Sequence, residues 1–329
     1  MNLLSQKISF HDFEPELESF RDAVLKGLSR PQKQIPPKFF YDETGSQLFE
    51  AILEQPEYYI PNVERDLLQT YADEMSRLIE PGSVLIEPGS GSCEKVQLLL
   101  ESLLPSAYVP MDISREFLKQ SACGLSHKYP WLPIYPACLD FTQQMLLPHG
   151  IPQGRRVVFI PGSSLGNFDP LEVQHFLTGI HRLTGKGGGL LVGLDRKKDP
   201  SVLNAAYNDA AGITAEFNLN LLTRINNELD GNFDFDRFEH RAYYNDQRGR
   251  IEMHLVSSED QQVSISGQDF RFINGEYIHT ENSYKYSPDE FITLANASGF
   301  RLLKIWSDDQ HLFSIYFLEA VSKPEKLIP

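Results

Sequence analysis

The stretch VLIEPGSGSCEK, residues 84–95, is an apolar run that meets Glu87 and then a glycine pair, Gly89 and Gly91, before helical character resumes at 96–100. A strand that stops at a glycine turn and restarts as a helix leaves backbone N–H groups free for a ligand to lie against. About twenty residues on, Asp112 closes YVPMD, the place where an acidic residue commonly accepts hydrogen bonds from both hydroxyls of a ribose. Asp140–Phe141, in ACLDF, joins a carboxylate that can receive an adenine amino group to a ring that can stack on the base. Each has a plainer reading. Asp112 could be the N-cap of a helix starting near Arg115, with Ser114 as the competing cap, and Asp140–Phe141 an ordinary strand-end turn. Cys93, beside the glycine turn, reads as a buried or incidental thiol.

Such residues work together only if successive strands end side by side. From about residue 62 the chain alternates strand-like segments (84–87, 108–112, 134–139, 157–160, 190–194) with amphipathic stretches such as 115–128 and 170–183. That rhythm predicts a parallel sheet with helices on both faces, whose ligands sit at the carboxyl ends of the strands. After Pro200 the rhythm changes. Residues 202–229 form one long helical pattern. FDFDRFEHRAYYNDQRGRIEMHLVSS then alternates in the antiparallel manner, with a turn at 246–249. Near the end, 300–306 and 312–320 read as two strands joined at 307–310. The expected fold is α/β: a doubly wound Rossmann-like sheet with a terminal antiparallel hairpin, from 62–200 and 288–329. A second, α+β region from 1–61 and 201–287 is expected to bind substrate and to pack over the ligand edge.

Composition narrows the partners. Thirty basic against forty-five acidic side chains give a net charge of −15 over 329 residues, with no basic run to offset it, so nucleic acid and anionic lipid are excluded as partners. No window reaches the roughly 18–20 apolar residues of a membrane span, and the N-terminus lacks the pattern of a signal or transit peptide. Three cysteines without metal-site spacing fit a reduced, cytoplasmic setting, and no metal is expected. The partner is a small molecule.

Three successive strands ending in Gly89, Asp112 and Asp140 are more specific than any one of them. Together they have the layout of S-adenosylmethionine-dependent methyltransferases. The third glycine of a dinucleotide fingerprint is replaced by Glu94 or Lys95. A pyrophosphate needs that close approach to a helix, and S-adenosylmethionine has no pyrophosphate. Further on, FIPGSSLGNFDP places Gly162, Ser163, Ser164, Gly166 and Asn167 in a polar loop at the ligand edge, and Asp195, Tyr207 and Asn208 lead into the second region.

Across nearly its whole length the chain resembles the histidine-specific N-alpha-methyltransferases of ergothioneine biosynthesis. The resemblance is carried by KFFYDETGSQLFEAI with PEYY, EPGSGSCEK, MDIS, PGSSLGNFDP, KDP, AAYNDAAGITAEFNLN, IEMHLVS and GEYIHTENSYKY. It implies three successive methyl transfers to the α-amine of L-histidine, giving hercynine, with the mono- and dimethyl forms as intermediate substrates. It also implies a cofactor pocket of Tyr41, Gly89, Gly91, Lys95, Asp112, Asp140 and Phe141. The implied amino-acid pocket is Phe49, Tyr58, Gly162, Ser164, Asn167, Tyr207, Met253, Glu281 and Ser283. Ser164 stands where the family often has Thr, which keeps the hydroxyl.

In that carry-over Tyr41, Asn167 and Tyr207 orient the reacting amine, Glu281 and Ser283 hold the imidazole, and Met253 closes the side-chain pocket. A carboxylate facing an imidazole accepts its N–H and favours the charged ring, which an apolar slot could not do. By residue type alone, Glu281 reads as a solvated mid-strand residue, and Met253 and Tyr207 as packing. The alternatives are a related enzyme acting on tryptophan or tyrosine, a non-catalytic binder of S-adenosylmethionine, and an NAD-dependent oxidoreductase.

Overall fold

The computed structural model describes residues 8–14, 18–143 and 145–322. In chain order its strands are β1 (His11–Asp12), β2 (Val84–Pro88), β3 (Ala107–Asp112), β4 (Ala137–Cys138), β5 (Arg156–Ile160), β6 (Gly189–Asp195) and β7 (Phe238–Asn245). They continue with β8 (Arg250–Ser257), β9 (Gln261–Ile265), β10 (Gln268–Phe272), β11 (Tyr277–Tyr284), β12 (Phe300–Ser307) and β13 (Phe313–Ala320). The α-helices are α1 (Phe20–Leu28), α2 (Glu43–Leu53), α3 (Ile60–Ile79), α4 (Glu94–Leu103), α5 (Arg115–Lys128), α6 (Pro170–Thr184), α7 (Pro200–Ala206), α8 (Ile213–Leu229) and α9 (Pro288–Ala297). None is long and apolar enough to cross a membrane.

Two units emerge. The first takes the described residues within 1–16, 62–196 and 286–329 and is built on one eight-stranded sheet, in the order β1-β4-β3-β2-β5-β6-β13-β12. Its strands pair in parallel except β13, which runs antiparallel between β6 and β12. Strands β2, β3 and β6 are buried almost end to end, as their unbroken apolar runs require of parallel strands covered on both faces. The chain steps outward from β2 to β3 and β4, then returns to lay β5 on the other side of β2. That reversal puts the β2–α4 turn and the loop after β5 at the topological switch point.

Two expectations are corrected in this unit. The segment 134–139 yields only the two-residue β4, because Ile134 makes single bridges to Ile8 and Tyr108 in place of a continuous ladder. The N-terminal segment does not join the substrate region whole: His11 and Asp12 pair in parallel with Ala137 and Cys138, so residues 8–14 extend the sheet. Residues 1–7 lie outside the described chain.

The second unit takes the described residues within 17–61 and 197–285. It holds an antiparallel sheet in the order β11-β8-β7 and the β9–β10 hairpin, with α1, α2, α7 and α8 in the same unit. Phe40, Phe217, Leu222, Ile225, Phe238, Met253, Leu255 and Ile278 form part of its core. The expected long helix over 202–229 is two helices. Asp209 stops and restarts it: its carboxylate accepts from the Ile213 and Thr214 amides at 2.8 Å each, with Gly212 at φ +78°. In β11 the ladder with β8 runs regularly to the pair His279–His254 and resumes at Glu281–Met253, so Thr280 is an extra, bulged residue.

Candidate active site

At the end of β2 the turn folds back on β3. The amides of Gly89 and Ser90 both donate to the Met111 carbonyl, at 2.8 and 3.0 Å, with Gly89 at φ +70° and Gly91 at φ +52°. These left-handed conformations suit glycine because a Cβ would be strained there. A Cβ on Gly89 would also stand 3.3 Å from the Phe141 ring, so this position is a flat step with an aromatic wall beside it. The Gly91 amide donates to Asp112 at 3.2 Å, and the other Asp112 oxygen accepts from the Ser114 amide at 2.9 Å. Ser114 is the N-cap residue of α5 and makes no side-chain cap bond. Burial raises the Asp112 carboxyl above its usual range, and its backbone donors only partly offset this. Gly89, Gly91, Asp112 and Phe141 are thus brought together.

Asp140 sits differently. Its carboxylate accepts from the Thr142 amide and hydroxyl at 3.0 and 2.6 Å and from the Gln143 side chain at 2.9 Å, closing the strand-end turn. Phe141 packs on Phe176, ring centroids 6.0 Å apart.

Lys95 has a partner that the sequence did not reveal. Its ammonium lies 2.7 Å from Glu64, a carboxylate whose side chain is 1% exposed and whose two oxygens accept from the Gly162 amide at 2.7 and 2.9 Å. Two glycines lie against this ion pair. A Cβ would fall 2.2 Å from Glu64 Oε1 at Gly193, and 2.8 Å from the Lys95 ammonium at Gly162. Glu64 therefore ties the start of α4 to the loop after β5. In that loop Ser164 donates to the Pro161 carbonyl at 2.8 Å, and Asn167 is exposed at the end of a short 3-10 turn. Nearby, Glu87 is buried and accepts from the Tyr108 hydroxyl at 2.5 Å, and burial pushes its carboxyl up to about 8.

Gly162, Ser164 and Asn167 belong to the first unit. Phe49, Tyr58, Tyr207, Met253, Glu281 and Ser283 belong to the second, and so does Tyr41. Tyr41 packs edge-on against Phe49 and Phe217 at 5.4 and 5.7 Å, held by Asp42, which N-caps α2 and accepts from Asn220 on α8. Although Tyr41 as a whole is 45% exposed, desolvation of its phenol raises it well above its usual range, and Glu281, Tyr58 and Tyr207 add to the rise. Tyr58 meets Tyr207 edge-on at 5.9 Å.

The bulge at Thr280 aims the acidic group. Directly paired residues share a face, so Glu281 opposite Met253 and Ser283 opposite Ile251 point to the core side of the sheet. Strict alternation from Tyr277 would have sent Glu281 to the other face. The bulge is pinned from α8: Thr280 donates to Asn218 and to the Met253 carbonyl at 2.8 and 3.0 Å, and Asn218 donates to the His254 carbonyl at 3.0 Å. Desolvation pushes Glu281 up to about 7, and Lys285 opposes the shift. Met253 is 1% exposed and is part of the core as well as Glu281's neighbour.

Lys285 is the second residue that sequence reasoning missed. It is 1% exposed and donates to Ser283 at 2.9 Å and to the Tyr207 hydroxyl at 3.1 Å, while Tyr207 itself donates to Ser283 at 2.8 Å. A buried ammonium, a phenol and a serine hydroxyl form one fixed triangle, and its Ser283 and Lys285 lie two and four residues from Glu281. The i, i+2 spacing of Ser283 and Lys285 was the available signal.

The family described as histidine-specific methyltransferase, SAM-dependent, matches residues 20–320. Histidine N-alpha-methyltransferase of Mycolicibacterium smegmatis is 36% identical over 299 residues, 88% of this chain and 92% of that protein. Ergothioneine biosynthesis protein 1 of Neurospora crassa is 33% identical over 318 residues, 93% of this chain and 36% of that longer protein. Among solved structures, the CcbJ methyltransferase from Streptomyces caelestis is similar with a TM-score of 0.47 at 14% identity, covering 78% of this chain and 96% of that one. Matched over most of its length, the chain belongs to the histidine-specific, S-adenosylmethionine-dependent methyltransferase family.

Proposed function

We propose that the chain moves three methyl groups in succession from S-adenosylmethionine to the α-amine of L-histidine, forming hercynine and opening ergothioneine biosynthesis. Family membership sets aside the dinucleotide oxidoreductase and the non-catalytic binder. The observation that carries the choice of substrate is Glu281, turned to the core face by the Thr280 bulge and raised to about 7. An imidazole titrates near 6.5, so carboxyl and ring compete for one proton, and either way the pair keeps a hydrogen bond between them. An indole or a phenol stays neutral and cannot take that proton. Chemistry of this kind discriminates far better than the fit of an apolar slot.

The cofactor residues fit an adenosyl group. The Gly89 step beside Phe141 is space a Cβ would fill, and Asp112 offers a half-buried carboxylate next to the turn. Gly89, Gly91, Lys95, Asp112, Asp140 and Phe141 would hold it, with Tyr41 toward the reacting end. Bound there, S-adenosylmethionine supplies a methyl group already activated by its sulfonium. The protein's task is then to hold a neutral amine in line, and alignment supplies most of the acceleration.

Tyr207 would orient the amino-acid backbone together with Asn167. Its hydroxyl is locked by Ser283 and Lys285, so little freedom is lost on binding. Phe49 and Tyr58 would supply apolar surface to accommodate an amine that loses a hydrogen-bond donor with each transfer. The test is incubation of the purified chain with methyl-labelled S-adenosylmethionine and the amino acids, read by mass spectrometry. Three labelled methyl groups on histidine are expected. Turnover of tryptophan or tyrosine with none of histidine would overturn the reading.

A further inference from the structure

The face of the β11-β8-β7 sheet opposite Glu281 carries a second cluster, which methyl transfer does not use. Glu252 and His254 are two apart on β8 and so project from the same face, and His279 on β11 stands directly across from His254. Glu252 Oε2 lies 3.2 Å from His254 Nε2, His254 Nε2 lies 3.0 Å from His279 Nδ1, and His279 Nδ1 lies 4.0 Å from Glu252 Oε2. The three side chains are 6%, 3% and 17% exposed. Two ligand atoms on one zinc ion, bonded at about 2.0–2.1 Å in tetrahedral geometry, stand about 3.3 Å apart, and these three separations bracket that value.

The surroundings suit an ion on the Oε2 side. Arg250 takes the other carboxylate oxygen, Glu252 Oε1, at 2.8 Å, leaving Oε2 turned to the imidazoles and to the Tyr243 hydroxyl at 3.1 Å. Tyr277 stacks on His254 at 3.9 Å and Tyr243 meets it edge-on at 5.5 Å, fixing the plane of the ring. The His279 backbone is held on its far side by the Lys33 carbonyl and the Ile35 amide, at 2.8 and 3.0 Å. Asn282, paired with Glu252, keeps a buried side-chain oxygen with no hydrogen-bond partner among the described residues. One cation would satisfy three converging lone pairs at once. Two imidazoles and a carboxylate make a donor set for zinc and its borderline neighbours, and a poor one for magnesium or calcium.

We propose that Glu252, His254 and His279 bind one divalent transition-metal ion of the zinc class, with water completing its coordination. The ion ties β8 to β11 at the last regular pair before the Thr280 bulge. It thereby braces the register that turns Glu281 to the opposite face.

The test uses tag-free, full-length protein stripped with a chelator, titrated with zinc against a chromophoric competitor and with cobalt(II) by visible absorption. One ion per chain is expected, with a cobalt spectrum of nitrogen and oxygen ligation and a zinc-dependent rise in melting temperature. Loss of even an outer-shell partner costs about 10–100-fold in metal affinity, so His254→Ala and the less intrusive His279→Asn should each weaken binding by about 100-fold or more. Circular dichroism and metal-free melting of His279→Asn identify a variant that has merely misfolded. Absence of binding, or equal binding by wild type and a folded His279→Asn, would overturn the site and leave a hydrogen-bonded network.

Discussion

In the sheet unit the residues proposed to hold the cofactor follow one another along the chain. Gly89 comes after β2, Asp112 at the end of β3 and Asp140 just past β4, each delivered to the same edge by parallel pairing. In the other unit, Tyr41 precedes α2, Tyr207 ends α7, and Glu281 and Ser283 lie on β11, brought into one unit by a shared core. The first arrangement is geometric: any sequence that makes successive parallel strands places their carboxyl ends together. The second depends on individual packing and on one inserted residue. A substitution at Gly89, Asp112 or Asp140 should therefore damage cofactor binding alone. One at Tyr207, Glu281 or Ser283 should damage amino-acid recognition alone.

The largest separation of the two is expected from Gly89→Val. A β-branched residue at φ +70° whose Cβ meets the Phe141 ring combines backbone strain with overpacking, each about 1–3 kcal/mol. S-adenosylmethionine affinity should fall by about 100-fold or more by calorimetry, with histidine affinity unchanged. Lys285→Met should do the reverse. It removes charge-assisted bonds to Tyr207 and Ser283, worth about 1.5–3 kcal/mol, so kcat/KM for histidine should drop about 10–100-fold while S-adenosylmethionine still binds.

Glu64→Ala sharpens the contrast on stability. It strips the Gly162 amide and Lys95 of their partner, and a loss of about 1–3 kcal/mol by denaturant unfolding is expected.

A further effect concerns pH. Glu87 is raised from the ordinary carboxylate range to about 8, so the folded chain keeps a proton that the unfolded chain releases near pH 4.5. Its contribution is complete below about pH 4.5 and is lost as pH rises through about 8. Glu281 acts in the same sense up to about 7. Glu87→Gln should flatten the fall in stability between about pH 5 and 8, measured by melting at a series of pH values.

The sheet was legible because its strands are unbroken apolar runs and its turn carries two glycines, signals that need no knowledge of distant residues. What escaped was non-local. Glu64 carries no local signal, because its partners, the Gly162 amide and Lys95, lie far along the chain. Two residues of pairing hide β1 from any periodicity. The helical pattern across 202–229 reads through Asp209 and Gly212, although that carboxylate caps a new start. The bulge at Thr280 has no mark of its own in IHTENSY, so the face of Glu281 could be assigned only by resemblance. Local spacing gave no reason to expect a metal, since His279 reaches Glu252 and His254 only through strand pairing.

The most direct test of the account is calorimetric binding of L-histidine and of S-adenosylmethionine to Glu281→Ala beside the wild type. Loss of a hydrogen bond to a charged partner, about 1.5–3 kcal/mol, predicts histidine affinity lower by about 10–150-fold with S-adenosylmethionine affinity essentially unchanged. Equal loss of both, or of neither, would contradict the assignment of Glu281 to the imidazole.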